Sequence, residues 1–219
     1  MENQLPVAEK NQPAKFDLKR QRFEEALRRE KRRKYFWVGG SVAGVTVLIG
    51  LIGYYATRPQ EPLPGVSYPS QGQEHVPLDH KDTYNSNPPT SGSHYASPAN
   101  WGVYDYEVAD KIFIHNLEHG GIWISYKPSI PAPVVNDLKK IVDKFGKSKL
   151  VMAPRAADDT DIAIAAWGRL LKLNLATSTA LSDLQKKDIE TFYLRLKDRG
   201  PENVPDFMTG VDPKAVQGN

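Results

Sequence analysis

All five histidines of this 219-residue chain fall between His75 and His119, and the 100 residues that follow contain none. Imidazole is the commonest protein metal ligand and the commonest general base, so this clustering points to a single chemical site. Two of the five close the run His115-Asn116-Leu117-Glu118-His119. That run matches the H-x-x-E-H pattern in which two histidines hold zinc and the glutamate acts as base. The zinc-peptidase use of such a motif needs it well inside a long helix. Here Gly120-Gly121 follows at once and β-prone runs lie on both sides. As a strand, the segment puts His115, Leu117 and His119 on one face and Glu118 on the other. As a last helical turn capped by Gly120, it stacks His115 and His119 on one face. Both geometries leave the two imidazoles on the same side.

His94, in Ser91-Gly92-Ser93-His94-Tyr95, is the third candidate ligand or base. His75 and His80 read equally well as ligands or as surface residues, and Asp79 and Asp82 as solvated carboxylates. The chain has no cysteine, which excludes thiolate metal sites, iron–sulfur clusters and cysteine nucleophiles. A thioether beside imidazoles would favour copper over zinc. Met152 is the thioether candidate, although it and Met208 read more simply as gap-fillers. The expected ligands are therefore His94, His115 and His119, with His75, Glu118 and Met152 as weaker candidates, for a copper or zinc ion. One alternative is a metal-dependent hydrolase in which Glu118 is the catalytic base activating a bound water. Another is a non-catalytic, partner-binding envelope module whose Tyr/Trp-rich loop forms the contact surface. Ser91 and Ser93 near His94 suggest a serine hydrolase, but no Gly-x-Ser-x-Gly elbow accompanies them.

The elements that must position these residues can be read from periodicity. Residues 71–102 form a long irregular stretch holding the turn-rich run Asn85 to Gly92, and its aromatic content argues for an ordered, functional loop. Lys111–Ile114, Ile122–Tyr126, Lys149–Ala153 and Ile162–Trp167 read as strands, and Pro131–Phe145 and Leu181–Arg199 as amphipathic helices. Gly200-Pro201 terminates the second helix. The order β-β-α-β-β-α predicts an α+β domain, a small, mainly antiparallel sheet packed with two helices on one face.

Ahead of this domain, Tyr35 to Thr57 is uncharged and mostly apolar for 23 residues. At about 1.5 Å per residue, a helix of that length crosses a hydrocarbon core of about 30 Å. Residues 1–34 carry 11 basic and 6 acidic side chains, ending in Lys31-Arg32-Arg33-Lys34. Positive charge stays cytoplasmic, so the expectation is a single pass through a bacterial plasma membrane with the C-terminal domain extracytoplasmic. A cleaved signal peptide is the rival reading, and its charged and apolar regions would both be unusually long. Gly40-x-x-x-Gly44 could be a helix-packing face. Residues 58–219 hold 18 basic and 20 acidic side chains, so no nucleic-acid partner is expected there. The expected segments are a basic tail with a juxtamembrane helix (1–34), the transmembrane helix in contact with the lipid bilayer (35–57), a Pro-rich linker (58–70), the His-cluster domain (71–205) and a C-terminal tail (206–219).

Several runs together resemble a known bacterial family. These are His75-Val76-Pro77, Tyr84 through Tyr95, Trp101-Gly102-Val103-Tyr104, His115 through Gly121 with its following apolar strand, and Ala165-Ala166-Trp167-Gly168. They are similar to the proteins grouped as domain of unknown function 3105, over roughly residues 66–205. Many members of that group are membrane-anchored with the domain outside. The resemblance implies the domain boundaries and the histidine cluster, and it names no reaction.

Overall fold

The computed structural model describes residues 15–58, 61–202 and 204–217. The first 14 residues, part of the basic tail expected over 1–34, lie outside them. The chain divides into two compact units, Met1–Glu61 and Pro62–Asn219.

In the first unit a single helix, α1, runs from Lys15 to Thr57 and joins the basic segment to the apolar one without a break. It is long and apolar enough to cross a membrane. Its large apolar side chains, among them Trp37, Leu48 and Ile52, are exposed.

The second unit is α+β. Its sheet contains β1 (Val66–Ser67), β2 (Gly102–Val103), β3 (Ile122–Tyr126), β4 (Leu150–Pro154), β5 (Ile162–Ala166) and β6 (Arg169–Leu173). They are ordered β1-β6-β5-β3-β4-β2. β1/β6, β6/β5 and β5/β3 are antiparallel, whereas β3/β4 and β4/β2 are parallel. The parallel β3/β4 pair needs a crossover, which α3 (Ala132–Lys144) supplies. β5 and β6 are joined through Trp167-Gly168, with Ala166 paired to Arg169.

Side-chain alternation along the strands divides the interior in two. Ile122, Ile124, Leu150, Met152, Ile162 and Ile164 face one side. There α3 buries Val134, Leu138, Ile141 and Val142, and α4 (Asp183–Leu196) buries Ile189, Phe192, Tyr193 and Leu196. Ser182 starts α4 with a capping box, accepting from the Gln185 amide while the Gln185 side chain accepts from the Ser182 amide. Trp123, Val151, Ala153, Ala163 and Ala165 face the other side, against α2 (Asp110–Glu118).

α2 corrects the sequence reading, which made Lys111–Ile114 a strand. Every residue from Lys111 to Glu118 is buried. Its polar residues Lys111, His115 and Glu118 do recur at helical spacing, but all are buried, and the β-prone run Ile112-Phe113-Ile114 imitates a strand. The helices packed on the sheet thus include a third, on the face opposite the two expected ones. β6 was also not anticipated, because Arg169 and Lys172 interrupt its apolar pattern.

The folded unit extends past both expected edges. β1 lies inside the stretch read as a linker and pairs with β6. Beyond residue 206, Val211 bridges Ala99, and α5 (Pro213–Gln217) places Val216 against the α2-side core.

Candidate metal centre

The site forms where the irregular stretch between β1 and α2 folds over the C-terminal end of α2. That stretch is tied to itself by backbone pairing. The Val76 amide donates to the His94 carbonyl at 2.8 Å and the His94 amide to the Glu74 carbonyl at 2.9 Å. This short parallel bridge places His75 beside His94. Tyr84 adds a brace, its hydroxyl donating to the Ser93 carbonyl at 2.7 Å.

Asn116, in the middle of the H-x-x-E-H run, clamps the next part of the loop to the helix. Its Oδ1 accepts from the Ala99 amide at 2.9 Å and its Nδ2 donates to the Ala99 carbonyl at 2.8 Å. The Tyr95 amide donates to the Lys111 carbonyl, so the loop is held to α2 on either side of the site.

His115 and His119 lie one turn apart at the end of α2, the second of the two geometries open to the sequence. His119 is the C-cap, and Gly120 follows with φ +77°. A Cβ at Gly120 would also lie 2.8 Å from the Asp198 Cα, so both conformation and space require glycine.

Four imidazoles and one carboxylate meet here. Ring centroids are 5.0 Å apart for His75–His94, His75–His115 and His94–His115, and 4.5 Å apart for His115–His119. Glu118 Oε2 lies 2.8 Å from His94 Nε2, 3.8 Å from His75 Nε2 and 3.9 Å from His115 Nε2. One ligand atom from each of these four residues lies within 4.8 Å of all the others, a grouping that could hold a metal ion. Atoms bound to one tetrahedral ion at about 2.05 Å are about 3.3 Å apart, so the observed distances bracket that spacing. Glu118 and His94 are almost completely buried, whereas His75 is half exposed and forms the solvent side.

Ring orientation is fixed from outside the cluster. His94 Nδ1 lies 2.8 Å from the Gly92 carbonyl, and His115 Nδ1 lies 2.7 Å from the Tyr95 carbonyl. A carbonyl only accepts, so each Nδ1 carries the proton and each Nε2 presents a lone pair to the interior unless the ring is doubly protonated. This is how outer hydrogen bonds select the tautomer of metal-binding histidines. At 2.8 Å the His94 Nε2 and Glu118 Oε2 then need a positive charge between them, whether a proton or a metal ion.

Burial pushes the His115 imidazole down to about 4, and the neighbouring His119, His94 and His75 push the same way against the Tyr95 hydrogen bond. Burial also lowers His119, opposed by Glu202 and Glu118. Both rings are therefore neutral near pH 7. The C-terminal end of α2 adds the negative end of the helix dipole, which favours a cation at this position.

Among the sequence candidates, the structure brings together His75, His94, His115 and Glu118, with His119 adjacent through a 3.1 Å approach of its Nε2 to His115 Nε2. His80 is elsewhere, its Nε2 3.1 Å from Asp82, which also pairs with Lys111 at 2.6 Å. Met152 is fully buried on the α3/α4 side of the sheet, away from α2, and so is not brought to the cluster. Met208, read as a gap-filler, is exposed. Three positioning features were not read from the sequence. They are the Gly92 and Tyr95 carbonyls, the Asn116 clamp, and Glu202, whose Oε2 is 3.4 Å from His119 Nε2. Backbone carbonyls carry no residue-type signal, and Glu202 lies far along the chain, just past the Gly200-Pro201 helix stop.

The site thus defines a class: an α+β domain with a buried histidine–glutamate cluster at the end of an enclosed helix. The chain belongs to the family described as "Protein of unknown function (DUF3105)", whose model matches residues 75–204, more than half of the chain. That span includes all five residues of the cluster. No curated protein and no solved structure matches the chain.

Proposed function

We propose that this is a single-pass membrane protein whose C-terminal domain, outside the cytoplasm, binds one transition-metal ion through His75, His94, His115 and Glu118. The observation that carries the reading is the convergence of three Nε2 atoms on one buried carboxylate oxygen, with two of the rings oriented by backbone carbonyls. The N-terminus is cytoplasmic, as the Lys31–Lys34 cluster at the start of the apolar stretch favours. The ligand set is nitrogen and oxygen, with Met152 on the other side of the sheet. It suits Zn(II) or Cu(II) better than Cu(I). Glu118 is a ligand in this scheme, and its close contact with His94 leaves it poorly placed to serve as a free base.

The test is metal analysis of the full chain in detergent, purified without added metal and then titrated with Zn(II), Cu(II) and Cu(I). Wild type retains an ion tightly, and His94→Ala and His115→Ala each lose it while keeping the wild-type circular dichroism spectrum. Equal binding by wild type and the folded variants would overturn the assignment.

A further inference from the structure

The four-residue cluster leaves one imidazole over. His119 is not part of it, yet its Nε2 lies 3.1 Å from His115 Nε2 and 3.4 Å from Glu202 Oε2. One ligand atom each from Glu118, His119 and Glu202 forms a second group within 4.8 Å, sharing Glu118 with the first. The contacts of Glu118 with His75, His94 and His115 all run through Oε2. A carboxylate shared by two such groups has the form of a bridging ligand.

The approach of Glu202 is built into the chain. After α4 the backbone passes directly over the end of α2, with the Asp198 amide donating to the Gly120 carbonyl at 2.9 Å and the Glu202 amide to the Glu118 carbonyl at 3.0 Å. Between them lies Gly200, where a Cβ would sit 2.1 Å from the Glu118 carbonyl oxygen and 2.3 Å from the Gly120 nitrogen. Only glycine permits so close a crossing. The fully buried Lys149 anchors the same segment through its ion pair with Asp198. Four features thus hold a half-exposed glutamate beside a nearly buried imidazole.

We propose that the centre takes a second divalent ion, held by His119, Glu202 and a bridging Glu118. This rests on the metal-binding reading above and extends it. The two positions differ in character. The inner one has four protein ligands and is mostly enclosed. The outer one has three, and Glu202 is 54% exposed, so coordination positions remain open to solvent. Two ions on one bridging carboxylate sit about 3.5–4 Å apart, the spacing at which a pair can share a small oxygen-donor ligand. With one imidazole and two carboxylates, the outer position takes a harder ion than the histidine-rich inner one.

The experiment is Zn(II) titration of the full chain in detergent, followed by calorimetry and by metal analysis after gel filtration. Wild type takes two equivalents, the second more weakly. Glu202→Gln and, separately, His119→Gln weaken the second by about tenfold or more and leave the first within about threefold. A single equivalent in wild type would overturn the second position while leaving the first standing, and two unaltered equivalents in both variants would overturn it as well. Wild type that binds no zinc would remove the underlying metal reading and this extension with it.

Discussion

Asn116 provides the sharpest test of how the site is held. Its side chain is fully buried and joined to both polar groups of the Ala99 backbone, itself buried. Asn116→Ala leaves an amide and a carbonyl without partners. Each orphaned buried group costs about 1–3 kcal/mol. Alanine's better helix propensity returns about 0.6 kcal/mol. The net loss is about 3 kcal/mol, and with a urea slope of about 2 kcal/mol/M the unfolding midpoint falls by about 1.5 M.

A second effect should accompany the first. The clamped loop carries the Tyr95 carbonyl that orients His115. Loosening it is expected to weaken metal binding by about 10–100-fold, as removing an outer hydrogen bond to a ligating histidine does. The assay is urea unfolding in chelator, followed by the fluorescence of buried Trp123, together with zinc titration of the same variant. A midpoint shift below about 0.5 M would refute the clamp. A full shift with unchanged zinc affinity would refute the link from clamp to site.

Other predictions concern pH and packing. In chelator, the unfolded chain binds a proton at His115 as pH falls below about 6.5, whereas native His115 resists protonation until about 4. Stability is therefore full above pH 6.5 and lower by about 2 kcal/mol at pH 5 from this group alone. Urea unfolding at pH 7 and pH 5 should show a smaller loss in His115→Gln than in wild type, and equal losses would refute the assignment. Gly200→Ala must separate the segment after α4 from the end of α2, because both nearest atoms belong to the backbone. It should cost about 1–3 kcal/mol, read as a lowered urea midpoint, and a wild-type midpoint would show that the crossing is not close.

What the sequence revealed and what it hid follow from the range of the interactions involved. The short apolar, β-prone runs at 122–126, 150–153 and 162–166 and the amphipathic pattern of α3 and α4 are local, and each was readable. So was the pairing of His115 with His119, since helix and strand spacing both align them. α2 was obscured because it is short and its first turns hold the β-prone run Ile112-Phe113-Ile114, while its polar stripe of Lys111, His115 and Glu118 is buried under the loop rather than turned to solvent. Met152 shows a different limit. Its residue type suits a copper ligand, but its register with Leu150 and Ile122 turns it toward α3 and α4. Nothing in the sequence says which side of the sheet holds the histidines.

The site itself depends on contacts between distant parts of the chain. His75 reaches it through a backbone bridge to His94, and Glu202 through a glycine crossing after α4. The ring tautomers are set by carbonyls that every residue possesses. A cluster of histidines in sequence therefore marks where a site lies, while the loop closures decide which of them point inward. That division explains why His80, five residues from His75, pairs with Asp82 instead. It also makes the assignment testable one residue at a time. Within the cluster, loss of His94 or His115 should abolish the inner ion, whereas loss of His80, equally a histidine of the same loop, should leave it in place.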